Sequence, residues 1–404
     1  MAQITMQKSL FVAREETDLE DPSPDGSAMY PVPFSELSEV SDLKTGLATS
    51  YGTGRGLPTA DEESSDDGWS FTLKTPLIGL ETAAGDGTSA STVSDDWLAM
   101  MLSNVFGSAT YTAGEGTASS ADSTHITMDG AVLSAQTYAP IYVASAGYTQ
   151  WRHVTADLGG AAYTVEPPLL VQPGASDVVY GTQRYRITPS ALGGGVPSSG
   201  NLLRFQVVQS GQSYNLGGGY VTSLKLSADV NMNVVAEWTF QGVTKTAETK
   251  GSLAQPIAAP AITPLKLHRV GSYFGTTDLS CKSLSIDFGL ATQRLFSSSQ
   301  PYGFGGWQTL SMSPTVSINP LFDTSFETFR RAATKGGLFL QLGEGAFSGG
   351  VLNSVGIHFS QCQIRKSDGA DVDGVRRAGL ELFASDKVRF DISNPVIFGQ
   401  LCRV

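Results

Sequence analysis

Leu203-Arg204-Phe205-Gln206-Val207-Val208-Gln209-Ser210-Gly211-Gln212-Ser213-Tyr214-Asn215-Leu216 is the stretch from which the fold can be read. Leu203, Phe205 and Val207 alternate with polar residues, Gly211-Gln212 offers a turn, and Tyr214-Asn215-Leu216 resumes the extended pattern. Beyond Gly217-Gly218-Gly219 the alternation returns twice. Leu224, Leu226, Ala228 and Val230 mark one run, and Ala236, Trp238 and Phe240, closed by Gly242, mark the next. Successive side chains of a strand point to opposite faces, so period-two alternation puts one apolar face inward. Short polar turns between such runs predict an antiparallel meander with one buried face.

Working outward, Trp69-Ser70-Phe71-Thr72-Leu73-Lys74-Thr75 carries the same alternation and follows an acidic loop at 61–67. A helix is expected at 95–107. Ser94 or Asp95 can cap it, Gly107 can end it, and Leu98, Met101, Leu102 and Val105 form one apolar stripe. Residues 108–200 are a long Gly/Ser/Thr/Ala-rich region with scattered strand-like pieces such as Thr182 to Thr188, a length usually functional or ordered by assembly.

Pro256, Pro260 and Pro264 stud a linker-like segment, after which the order of elements recurs. Leu284 and Ile286 start a strand, and Trp307 to Ile318 supplies another that Pro314 should break or push to an edge. A second helix is expected at 324–333, with Phe322, Phe326, Phe329 and Ala333 as its stripe. Strands return at 338–341, 356–359 and 378–383. Gly68-Trp69 and Gly306-Trp307 look like matching strand starts, and Gly-Leu-Ala-Thr occurs at 46–49 and 289–292. A structural duplication follows. The expected organisation is an N-terminal arm over 1–40, a first domain over 41–250 containing the 108–200 insertion, a Pro-rich linker over 251–270 and a second domain over 271–404. The arm is expected to be disordered or to order only against a neighbouring subunit.

Composition agrees with a β-rich assembly protein. The chain has 404 residues, more than one core usually serves, and only 16% of them are charged. Its net charge of −12 comes without a Lys/Arg cluster, which argues against a protein that grips nucleic acid. Carboxylates facing a channel would instead let DNA slide. Cys281, Cys362 and Cys402 are too few and too widely spaced for a disulfide framework or a zinc site, and fit a reducing cytoplasm. The opening residues lack the apolar core of a signal peptide, and no run approaches a membrane span. A soluble protein with no membrane partner is expected.

No catalytic constellation emerges, and no catalytic, cofactor-binding or metal residue is assigned. His125, His153, His268 and His358 are scattered, and His358, between Ile357 and Phe359, reads as a solvent-facing strand position. Gly52-Thr53-Gly54-Arg55-Gly56 lacks dinucleotide spacing and precedes an acidic loop, not a helix. Asp368 to Gly374 resembles a calcium loop only superficially, because Gly369 and Leu380 stand where that loop needs acids. A hairpin turn is the better reading.

The segments from Thr45-Gly46 through Gly68-Trp69 to Trp97-Leu98, and from Leu203 through Val221 to Trp238-Thr239-Phe240-Gln241-Gly242, resemble the tail tube (major tail) proteins of long-tailed, siphovirus-type bacteriophages. The resemblance implies β-sandwich or half-barrel lobes, each flanked by one short helix, that complete a β-barrel channel by oligomerisation. It implies rings of six such domains, hence a homotrimer if this chain holds two. It further implies ring stacking, a tape-measure protein held in the lumen, tail terminator and distal tail proteins as partners, and passage of double-stranded DNA without specific binding. Assembly would take place in the host bacterial cytoplasm, and the final location would be the tail of the virion. The rival reading is a carbohydrate-binding adhesin module of a tail tip or cell surface, presenting Trp151, Tyr302 or Trp307 as an aromatic platform. A β-sandwich hydrolase and a capsid-decoration or baseplate protein are the remaining alternatives.

Overall fold

The computed structural model of the chain describes residues 8–15, 29–43, 68–79, 96–107, 110–112, 116–129, 138–143, 147–174, 177–180, 182–187, 202–209, 212–248, 264–267, 271–296, 304–321, 323–343, 347–348, 351–372, 375–384 and 399–403. These residues are mainly strands, paired antiparallel, with two short helices. The fold class is mainly β, as the alternation predicts.

Strands β1 (Ser9–Arg14), β2 (Glu36–Leu37), β3 (Ser41–Leu43) and β4 (Gly68–Pro76) precede helix α1 (Trp97–Phe106). After an inserted barrel come β5 (Thr182–Ile187), β6 (Leu203–Gln209), β7 (Gln212–Asp229), β8 (Val235–Gly242) and β9 (Thr244–Glu248). Then β10 (Tyr273–Phe274), β11 (Ser283–Asp287) and β12 (Thr315–Ile318) lead to α2 (Thr324–Arg331). Strands β13 (Lys335–Leu342), β14 (Val355–Val372), β15 (Val375–Ala384) and β16 (Gly399–Arg403) follow.

The pairings repeat. In the first half β6 pairs with the start of β7, the rest of β7 with β8, and β8 with β4. In the second, β13 pairs with the start of β14, the rest of β14 with β15, and β15 with β12. Strand β9 joins the start of β7 as β16 joins the start of β14. Strand β1 flanks β6 as β10 flanks β13, and β2 and β3 flank β4 as β11 flanks β12.

Even the irregularities coincide. The β6–β7 register slips between Leu203↔Gly219 and Phe205↔Leu216, and β13–β14 slips alike between Gly336↔Cys362 and Leu338↔Phe359. A second bulge lies between Val221 and Ser223 in β7 and between Ile364 and Lys366 in β14. Both long strands have 18 residues. Bulges are specific structural devices, so matched bulges in matched strands indicate one unit present twice.

The sequence reading splits β7 at its glycines, but the strand is continuous. Gly218 takes φ 63° and the strand changes partners there, from β6 and β9 to β8. This lets one strand serve two facing layers. Phe205 on β6 consequently meets Phe71 at 5.2 Å and Phe240 at 4.8 Å, although β6 pairs with neither β4 nor β8. The core between the layers draws on both units, from Trp69 and Trp238 to Ile357 and Leu382. Leu265 and Leu267, inside the Pro-rich stretch read as a linker, are buried in that same core.

Other expectations are corrected. Within the 1–40 arm, Ser9–Arg14 pairs with the chain's own β6, driven by buried Leu10 and Val12. Gly306-Trp307 does not match Gly68-Trp69. The strand equivalent to β4 is β12, while Trp307 lies on a separate hairpin, Leu290–Phe296 with Phe304–Met312. Strand pairing is indeed broken around Pro314, and Asp368 to Val372 pair antiparallel with Val375 to Gly379, as a hairpin requires. The 108–200 region holds a closed barrel of Gly116–Ala121, His125–Asp129, Tyr138–Val143, Tyr148–Gly159, Ala162–Glu166 and Val178–Val179. It has its own core around Ile126, Ile141, Val154 and Val165.

Candidate assembly edges

One sheet runs through both units. The second half of β7 pairs with β11 in the register Lys225↔Asp287, Leu226↔Ile286, Ser227↔Ser285, Ala228↔Leu284 and Asp229↔Ser283. The sheet order is therefore β2/β3, β4, β8, β7, β11, β12, β15, β14. The internal seam extends at both ends through Phe288 N–H to Leu224 O (3.2 Å) and Val230 N–H to Lys282 O (2.8 Å). Lys225 and Asp287 form an ion pair across it at 3.2 Å.

The two ends of this sheet have no strand partner among the described residues. At one end, the outer sides of β2 and β3 are unpaired. There the Lys8 ammonium donates to the Leu37 carbonyl at 2.9 Å, so a side chain satisfies a group that a strand could. At the other end, β13 covers one edge of β14 only as far as Gln363, and past that point α2 packs against β14 but no strand among the described residues pairs with that edge. Open strand edges are templates for pairing with another chain, and natural proteins that keep them monomeric blunt or cover them.

The two faces of the sheet differ. Ile286, Val316, Leu380 and Leu382 turn inward to the core. Lys225, Ser227, Ser285 and Ser317 are exposed on the opposite face. That face is concave. Residues of β7, β11, β12, β15 and β14 together line an open hollow of about 810 Å³. Its lysines stand beside carboxylates: Lys74 with Glu36 at 2.7 Å, Lys225 with Asp287, and Lys366 with Asp368. Charge is thus dispersed and paired, with no cationic cluster among these residues to hold a phosphate backbone.

The residues singled out for chemistry are dispersed. Among the described residues no group of His, Cys, Asp and Glu could hold a metal ion. Gly52 to Gly56, the 61–67 loop, His268, Tyr302 and Phe322 lie outside the described residues. His125 is partly exposed and pairs with Asp122 at 2.9 Å. Backbone N–H donation from Thr124 and the bond to His125 hold the Asp122 carboxyl down at about 2.

His358, expected at the surface, is 4% exposed. The inserted barrel covers it, so that His153 stacks on it at 4.2 Å and Tyr138 lies 5.6 Å away. Trp151 and Trp307 are 1% and 4% exposed and donate to Ser354 Oγ (2.7 Å) and Gly218 O (3.1 Å). The three cysteines are free and buried, and burial raises the Cys402 thiol to about 12, which keeps it protonated and unreactive. Among the described residues no helix is long and apolar enough to cross a membrane.

A scan against protein-family models finds no match for this chain, and a search of curated proteins finds none either. Its functional reading therefore rests on the geometry of the sheet. The edge residues were not singled out in the sequence, because an unpaired edge is a property of the topology. The available signal was the recurrence of element order.

Proposed function

We propose that this chain is a tail-tube subunit that closes through copies of itself into a ring, with rings stacking into a hollow conduit. The observation that carries the reading is the duplicated unit joined edge to edge in one curved sheet, with an edge at each end that no strand among the described residues pairs. A curved sheet with two open edges is stabilised by closure, which removes every edge at once. With the six domains per ring that the resemblance implies, two units per chain give a homotrimer.

In this reading the polar, charge-paired face lines the lumen, and the conduit holds an extended tape-measure protein and then conducts DNA without gripping it. Net acidity and paired lysines favour sliding over binding. Exposed Met232 and Val375, at the equivalent β7–β8 and β14–β15 turns, are the candidate contacts between stacked rings. The adhesin reading requires an exposed aromatic platform, and Trp151 and Trp307 spend their rings on the interior. Negative-stain microscopy of the purified protein tests the proposal. Hollow tubes with regular axial spacing are expected, and monodisperse monomers that bind glycans would replace it with the adhesin.

A further inference from the structure

We infer that β14 of one copy pairs with β2 and β3 of a second copy, in the register of the internal seam between β7 and β11. This inference rests on the tube reading and specifies its contact. The matched pairings and bulges make β14 the equivalent of β7, so Asp368 takes the place of Lys225 and Gly369 that of Leu226. Likewise β2/β3 stand to β4 as β11 stands to β12. Leu37 opposes Leu73 as Leu284 opposes Ile318, and Ser41 opposes Ser70 as Asp287 opposes Thr315.

Within one chain, the edge of β7 beyond β6 is filled by β11 of the following unit. The equivalent edge of β14, beyond β13, lacks a strand among the described residues. The strand that fits it is the one equivalent to β11, and that strand is β2/β3. Its own outer edge is the complementary vacancy.

The backbone phase agrees. At the internal seam Leu224 and Val230 turn their backbone groups toward β11, and with period two so do Leu226 and Ala228. Ala228 faces Leu284, the equivalent of Leu37, and the Leu37 carbonyl is the one that Lys8 caps. Lys8 thus holds the acceptor that a neighbouring strand would use. The transferred register sets Asp368 opposite Ser41, Asp371 opposite Leu37 and Val372 opposite Glu36, antiparallel throughout.

The experiment is disulfide trapping in the full chain. Lys225 and Asp287, and so Asp368 and Ser41, occupy a non-hydrogen-bonded position, where facing residues come closest. The double variant Asp368→Cys with Ser41→Cys, oxidised after assembly, is expected to give a covalent ladder ending at the closed ring. Each single variant should give none, since the native cysteines are buried. Lys225→Cys with Asp287→Cys, which should close within one chain, reports whether this register oxidises.

A second variant, Gly369→Pro, removes one outward N–H at the seam while leaving the bonds to β15 on the other side of the strand. It should melt like the native chain and lose ring formation. Rings or tubes that form without the ladder, while the internal control oxidises, would overturn this seam and leave the tube reading standing. Unassembled monomers would overturn both. Gly369→Pro chains that fold and still form rings would also overturn the seam.

Discussion

The Asp96 carboxylate receives two hydrogen bonds from the Arg403 guanidinium, at 3.1 and 2.7 Å, and also caps α1 by accepting from the Ala99 N–H at 2.6 Å. Arg403 lies on β16 in the second unit and is fully buried, and its Nε and Nη2 also donate to the Ile78 and Gly79 carbonyls. One buried ion pair thus ties the helix of the first unit to the last strand of the second.

Removing one partner of a buried pair leaves an uncompensated charge in the interior, at a cost of about 3–5 kcal/mol. Arg403→Met and Asp96→Ala should each destabilise by that amount, Asp96→Ala also losing the helix cap. Together they should cost clearly less than their sum, because the second change removes the charge stranded by the first. Urea unfolding of the four proteins measures the coupling. Strict additivity would mean that the two groups do not depend on each other.

Gly242 has an ordinary strand conformation, but a methyl group there would stand 2.1 Å from Cζ2 of Trp69. That ring cannot retreat. It is fully buried, stacks on Phe71 at 5.5 Å and donates to the Gly217 carbonyl at 3.1 Å. Gly242→Ala should therefore cost about 1–3 kcal/mol through overpacking. Gly379, on the exposed face of β15, would meet nothing closer than 3.7 Å, and Gly379→Ala should change stability by less than about 0.5 kcal/mol. Thermal melts of the two variants should separate clearly, and equal effects would refute the packing account.

The contrast between these glycines also bears on how far the sequence can be read. Alternation in Trp69 to Thr75 and Ala236 to Phe240 marks strands whose buried faces match it residue by residue, whereas in Leu203 to Val207 the polar Gln206 is buried along with its apolar neighbours. Of the expected caps Ser94 and Asp95 neither is used, the cap of α1 being Asp96, and all ten helix residues are buried rather than the four-residue stripe alone. In α2 only Phe326 is buried, with Phe329 packed partly against the core and Ala333 exposed.

The inserted barrel was illegible for a physical reason. Its ladders slip at Ala118/Ser120, Val154/Ala156 and Asp157/Gly159, and each slip breaks the period-two signal. The continuity of β7 through three glycines, and the burial of His358 beneath the barrel, depend on contacts distant in sequence.

His358 gives the fold a defined acid sensitivity. Burial first, and then the neighbouring His153, hold its pKa well below the ordinary imidazole value of 6.5. The unfolded chain takes up a proton near that value while the folded chain does not. The stabilising difference is therefore complete above pH 6.5 and is lost progressively as the pH falls from there toward the depressed folded value. Replacing the ring with an apolar one, His358→Phe, keeps the stack on Phe339 at 4.8 Å and abolishes the titration. The native protein should lose melting temperature between pH 7 and pH 5, and the variant should lose measurably less over the same interval. Acid sensitivity of equal slope in both proteins would show that another group sets it, and would remove His358 from the account.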